Sequence, residues 1–71
     1  MNATTTYGTT WMGGDRPWFI TDPTDHLVRI EGGGFVQCGT EAEAEAFARD
    51  LDAGVIRRDP KTGRVPAEAA R

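Results

Sequence analysis

Chemistry-bearing side chains are scarce in this sequence, which has one cysteine, Cys38, and one histidine, His26, among 71 residues. A single cysteine excludes an intramolecular disulfide, and the donors of a structural zinc site are missing. A Cys/His nucleophilic pair would need both residues side by side with a third group to orient them. A small cysteine closing one strand and a histidine opening another are read instead as structural. Long apolar runs are lacking too: none approaches the roughly 20 residues that cross a bilayer. Met1 to Thr10 contains no Lys, Arg or apolar run, so a secretory signal is not expected and a reduced, cytoplasmic setting is.

The chain is also short. A domain of this size buries only about 60% of the surface its unfolded form exposes, and its one core leaves roughly 3 to 5 kcal/mol of net stability unless something else supports it. With neither disulfide nor metal in view, a protein partner or a second copy is the expected support. The net charge of −3 is unevenly spread. Residues 1 to 54 hold three Arg against nine Asp and Glu, whereas residues 55 to 71 hold five basic residues against two acidic ones. An acidic body argues against indiscriminate nucleic-acid binding, which needs a basic surface to neutralise phosphates.

What is present reads as one α+β domain over 1–71: a small antiparallel meander of about four strands (4–38), one amphipathic helix (40–53) and a short basic C-terminal hairpin (55–71). Thr4 to Met12 is rich in Thr, Tyr and Trp, which suit a pleated strand. Trp18 to Thr21 is a second strand, closed by Asp22-Pro23-Thr24-Asp25, where Pro23 presets a turn and the Asp carboxylates accept from nearby amides. His26 to Glu31 and Phe35 to Cys38 are the third and fourth, joined by Gly32-Gly33-Gly34 as a three-residue hairpin loop. That loop sets Ile30 opposite Val36 and Val28 opposite Cys38, and a four-residue loop over 22–25 puts Phe19 on the same face. Trp18, Ile20, Leu27 and Phe35 then fall on the other face, making both faces apolar.

Thr40 and Glu43 have capping-box spacing, and Glu41, Glu43 and Glu45 place negative charge at the positive end of the helix dipole. Ala44, Phe47, Ala48 and Leu51 form the apolar stripe, with Glu45 and Arg49 set to pair on the exposed side. Gly54 ends the helix. Asp59-Pro60-Lys61-Thr62-Gly63 is a turn signal inside a hairpin from Val55 to Val65. Pro66 stops it, and Ala67 to Arg71 reads as a helical turn.

No catalytic constellation emerges. Asp22, Asp25 and His26 form a cluster of cation-ligand types, but a Pro-containing turn explains them without a metal. The triple glycine lacks the Lys-Ser/Thr of a phosphate loop and does not open a helix. The chain is therefore read as a binding module, not an enzyme, with no cofactor. One helix covers one sheet face, so the second apolar face must meet the tail, a second copy or another protein. The candidate partner-binding residues are Trp18 with Arg16 beside it, Ile20, Leu27 and Phe35, with Glu41, Glu45 and Asp52 as an acidic helix flank. A competing reading is a nucleic-acid module in which Arg57, Arg58, Lys61 and Arg64 touch phosphates while Tyr7, Trp11 or Trp18 stack on bases. A homodimer joined through the second sheet face is the third.

The stretch FVQCGTEAEAEAFARDL, from Phe35 to Leu51, runs a strand straight into a capped alanine-rich helix. It resembles the ends of many small proteins encoded by bacteriophages and mobile elements, and the whole chain is similar in type to anti-CRISPR inhibitors. The resemblance implies a protein that acts in the cytoplasm of a bacterial host, binds a CRISPR or other defence effector complex and blocks its access to DNA.

Overall fold

A computed structural model describes residues 6–70. Three antiparallel strands, β1 (Gly8–Trp11), β2 (Trp18–Thr21) and β3 (Gln37–Cys38), lie in the order β1-β2-β3. One helix, α1 (Glu41–Ala53), packs on all three, and a short 3-10 turn spans Ala67–Ala70. The α+β class and the single helix are as the patterning predicts. Four strands and a C-terminal hairpin are not what forms, and the expected start of the first strand at Thr4 and Thr5 lies outside the described residues.

The expected third strand is missing because its residues change partners every one or two positions. Leu27 bridges Thr21, Arg29 bridges Phe35, and Ile30 makes a parallel bridge to Val65. The Val28 amide donates to the Ile20 carbonyl at 2.9 Å, and the Val28 carbonyl accepts from Val36 at 3.0 Å. Side chains of Ile20, Val28 and Val36, all essentially without exposure, meet at this junction.

Both hairpins depart from the expected register, with different consequences. Thr21 pairs with Leu27, so the first loop runs over 22–26 and is one residue longer than expected. Asp25 makes room for that residue by taking φ +69°, a left-handed conformation that Asp tolerates better than most side chains. A one-residue slip exchanges the faces of a strand. Ile20 is consequently in the core and Phe19 on the outer face, the reverse of the expectation. In the second hairpin Arg29 pairs with Phe35, and the Ile30 amide donates to the Gly34 carbonyl at 3.2 Å. Its register differs from the expected one by two, which changes every pair but no face. Val28, Val36 and Cys38 stay buried, now with Val28 opposite Val36.

The helix forms where expected. Thr40 Oγ1 accepts from the Glu43 amide at 3.2 Å, and Glu43 Oε1 reaches back to the Gly39 amide at 3.2 Å. At the other end Gly54 has φ +81°. Its amide donates to Leu51 and the Val55 amide to Asp50 at 2.9 Å, the paired bonds of a Schellman cap. Ala44, Phe47, Ala48 and Leu51 are the buried stripe.

The cap also explains the absent hairpin. Val55 and Ile56 both donate their amides back to the Asp50 carbonyl and so are not free to form a ladder. The Asp59–Arg64 turn does close, through Asp59 N to Arg64 O at 2.8 Å and Gly63 N to Asp59 O at 2.6 Å. It delivers Val65, fully buried, to the Ile30 segment, where Val65 accepts from Glu31 at 2.9 Å and donates to Arg29 at 2.8 Å. The tail thus covers an edge of the core instead of folding on itself.

Candidate interaction surfaces

The outer face of the sheet is built by alternation. Val28 and Val36 point to the helix, so Leu27, Arg29 and Phe35 point away, and Phe19 joins them from β2. The Phe19 and Phe35 rings lie 6.1 Å apart between centroids at 52°, within the range of a tilted aromatic contact. The Arg29 guanidinium carbon sits 5.3 Å from the Phe35 centroid, a cation over a ring face. Phe19, Leu27 and Phe35 are each half-buried and Arg29 is exposed. Among the described residues no helix covers this face, because α1 lies on the opposite one.

The expected binding residues therefore separate into groups. Leu27 and Phe35 share the outer face with Phe19, which the expected register had placed inside. Ile20 is 0% exposed and contributes to no surface. Trp18 is half-buried and packs against the core, paired with Trp11 on one side and Cys38 on the other. Arg16, near it in sequence, is exposed and lines a groove of about 300 Å³ together with Cys38, Glu43 and Asp50. Glu41 and Glu45 are exposed on α1. Asp52 is exposed too, and its Oδ1 accepts the Tyr7 amide at 3.0 Å.

Cys38 is 6% exposed at the base of that groove. Burial pushes its thiol above the ordinary cysteine value, Glu43 adds to the rise, and Arg16 opposes it. The thiol is held protonated at neutral pH, unlike a nucleophile. His26 belongs to the 22–26 loop on a different part of the sheet, and its Nδ1 lies 2.9 Å from Thr24 Oγ1. The Thr24 hydroxyl has one proton and donates it to Asp22 Oδ1 at 2.8 Å, so His26 donates from Nδ1 to the hydroxyl.

The basic residues of the tail are not equivalent. Arg58 is inside a network: Nε donates to the Gly63 carbonyl at 2.7 Å, and Nη1 reaches Tyr7 Oη at 3.3 Å and Asp22 Oδ2 at 3.4 Å. Its guanidinium also lies 5.9 Å from the Tyr7 ring centroid. Asp22, whose side chain is 8% exposed, completes the network by accepting from the Thr24 amide, the Thr24 hydroxyl and the His26 amide through Oδ1. Burial alone would raise the Asp22 carboxyl; the amides of His26 and Thr24, the Thr24 hydroxyl and the Arg58 charge outweigh it and hold it below the usual aspartate value. Arg57 folds toward the helix end, Nε at 3.4 Å from the Gly54 carbonyl. Arg58 and Tyr7 are thus engaged with each other and not arrayed toward a ligand. Of the expected group of Arg57, Arg58, Lys61 and Arg64, the first two thus hold partners within the fold, Arg57 the Gly54 carbonyl and Arg58 the Gly63, Tyr7 and Asp22 oxygens. The Asp22, Asp25 and His26 cluster is a hydrogen-bonded turn, and among the described residues no three His, Cys, Asp or Glu side chains gather as metal ligands.

A second groove, of about 280 Å³, lies between β1 and the opposite flank of α1, lined by Tyr7, Gly8, Thr9, Glu45, Arg49 and Asp52, with Ala48 at its floor. Glu45 and Arg49, expected to pair, form no ion pair among the described residues, where the Arg58–Asp22 contact is the ion pair present.

Comparison of the chain with protein-family models, with curated proteins and with solved structures gives no match. Among the described residues no helix is long and apolar enough to cross a membrane.

Proposed function

We propose that this chain is a small non-catalytic protein-binding module whose principal contact surface is the outer face of the sheet. The observation that carries the reading is the cluster of Phe19, Leu27 and Phe35 capped by Arg29, on the side of the sheet that the helix leaves uncovered. Aromatic side chains and arginine are the types that dominate binding energy at protein interfaces. Three-stranded sheets in chains this small gain stability by covering such a face. The form we carry forward is the one the resemblance implies, an inhibitor that binds a bacterial nucleic-acid-handling defence complex. The acidic flanks of α1 support it, since they match the basic surfaces with which such complexes hold nucleic acid.

The Arg58 network weighs against the nucleic-acid alternative, because Nε and Nη1 of Arg58 are already committed to the Gly63 carbonyl, Tyr7 and Asp22. The test is recovery of partners from a bacterial host at moderate salt with the tagged chain, beside Phe19→Ser and Phe35→Ser. The reading expects a stoichiometric protein complex that both substitutions deplete while the fold survives. Undiminished recovery with both variants, or nucleic acid alone lost steeply with salt, overturns it. Sedimentation at several concentrations, with the same variants, identifies a second copy on this face if that is the occupant.

A further inference from the structure

The β1 strand is an edge, and its outward hydrogen-bonding groups can be assigned. The Ile20 carbonyl accepts from Val28, so Ile20 directs its backbone groups away from β1. Its partner Thr9 therefore directs its own away from β2, as does Trp11 two residues on. The Met12 amide donates to Pro17 across the β1–β2 turn at 2.7 Å, which confirms that even-numbered residues face inward. Thr9 and Trp11 thus present amide and carbonyl at the free side of the strand, and no described residue bridges them there. Tyr7 has the same parity, and its amide is taken by the Asp52 carboxylate.

Natural edges are usually guarded by charge, proline or a bulge. The sequence has neither a charged side chain nor a proline from residue 1 to 14, and the ladder from Gly8 to Trp11 runs without a bulge. Beside it lies the groove between β1 and α1, with the Glu45 and Asp52 carboxylates against the single cation of Arg49. Thr9 and Trp11 are opposite Ile20 and Trp18 and so share the helix-side face. At the far end Trp11 is 64% exposed and Met12 55% exposed.

We propose that β1 accepts an extended, basic segment of another protein as an antiparallel fourth strand. Main-chain bonds to Thr9 and Trp11 hold it. A Lys or Arg opposite Thr9 enters the groove toward Glu45 and Asp52, and an apolar side chain two residues before it in the incoming segment lies against Trp11. Strand addition of this kind takes affinity from the backbone and selectivity from alternate side-chain pockets. The surface is separate from the outer face of Phe19 and Phe35, and either can fail without the other.

The probe is a blocked heptapeptide, Thr-Thr-Ile-Thr-Lys-Thr-Thr, and its counterpart with Glu in place of Lys, titrated into the labelled full chain and followed by backbone amide resonances. The lysine peptide is expected to shift the Thr9 and Trp11 amides, and Glu45→Gln to weaken it by up to about fivefold, the upper end for an exposed charge pair. Thr9→Pro removes an outward amide that the fold does not use, a place where a strand tolerates proline. It should abolish the shifts while tryptophan fluorescence and circular dichroism stay native. Equal affinity for the lysine and glutamate peptides, binding that survives Thr9→Pro in the folded chain, or a dimer that Thr9→Pro dissolves would each overturn the proposal, the last by giving the edge to a second copy.

Discussion

The Arg58 Nη1 and Asp22 Oδ2 atoms stand 3.4 Å apart across 36 residues of sequence, with the arginine side chain 27% and the aspartate 8% exposed. The pair joins three parts of the chain that share no strand: the Tyr7 segment ahead of β1, the 22–26 loop, and the turn that leads to Val65. Each is a place where a small fold would otherwise open first.

Arg58→Met removes the bonds to Gly63, Tyr7 and Asp22 together, and leaves a carboxylate at Asp22 whose remaining partners are the turn's own donors. A loss of about 1 to 2 kcal/mol is expected, since the arginine is partly exposed and its hydrogen bonds are discounted accordingly. Urea unfolding measures it. A double-mutant cycle with Asp22→Asn should show coupling; additive losses would mean the contact contributes nothing.

Acid should act through Asp22. Its folded carboxyl lies below the ordinary aspartate value, so the native state holds the charged form more tightly than the unfolded chain, whose value is about 3.9. The resulting stability is complete above that value and is lost as pH falls through the lower, folded one. Asp22→Asn should flatten the fall in urea midpoint below about pH 4. A variant with the same acid slope as the parent would remove Asp22 as the cause.

Trp18→Ala should destabilise the isolated chain by about 2 kcal/mol, less than for a wholly buried tryptophan because Trp18 is half-buried against the core. Phe35→Ser, on the outer face, should cost less stability and more binding. If thermal unfolding ranks the two in the opposite order, the faces of β2 have been exchanged.

Asp25 at φ +69° tests the loop that sets the register. Asp25→Gly should be neutral or slightly stabilising, and Asp25→Val should cost about 1 to 2 kcal/mol because a β-branched residue is strained there. Equal stability of the two variants would show that the five-residue loop does not need the left-handed residue.

The Cys38 thiol should react with a disulfide reagent at least about tenfold more slowly in the native chain than in urea, because burial and a raised ionisation value both suppress the thiolate. Native and denatured rates that coincide would place the thiol in solvent.

The helix was legible in the sequence because everything that defines it is local: Thr40 and Glu43 cap one end, Gly54 the other, and the stripe from Ala44 to Leu51 repeats within two turns. So was the turn at Asp59 to Gly63, and so was the burial of Val28, Val36 and Cys38, whose faces survive a register change of two. The positions of Phe19 and Ile20 were not legible, because they depend on whether a loop has four residues or five. Both loops suit Asp22-Pro23-Thr24-Asp25, and tertiary packing at Ile20, Val28 and Val36 decides for the longer one. Nor did any local signal mark Val65 as core or Arg58 as the link between Tyr7, Asp22 and Gly63. Apart from the Arg58–Gly63 bond, those contacts join residues 35 to 51 positions apart. Composition and pattern specified an acidic α+β chain with more apolar sheet than one helix can cover and put Leu27 and Phe35 on the second face; only the folded arrangement exchanged Ile20 for Phe19 there and left the edge of β1 open beside Glu45 and Asp52.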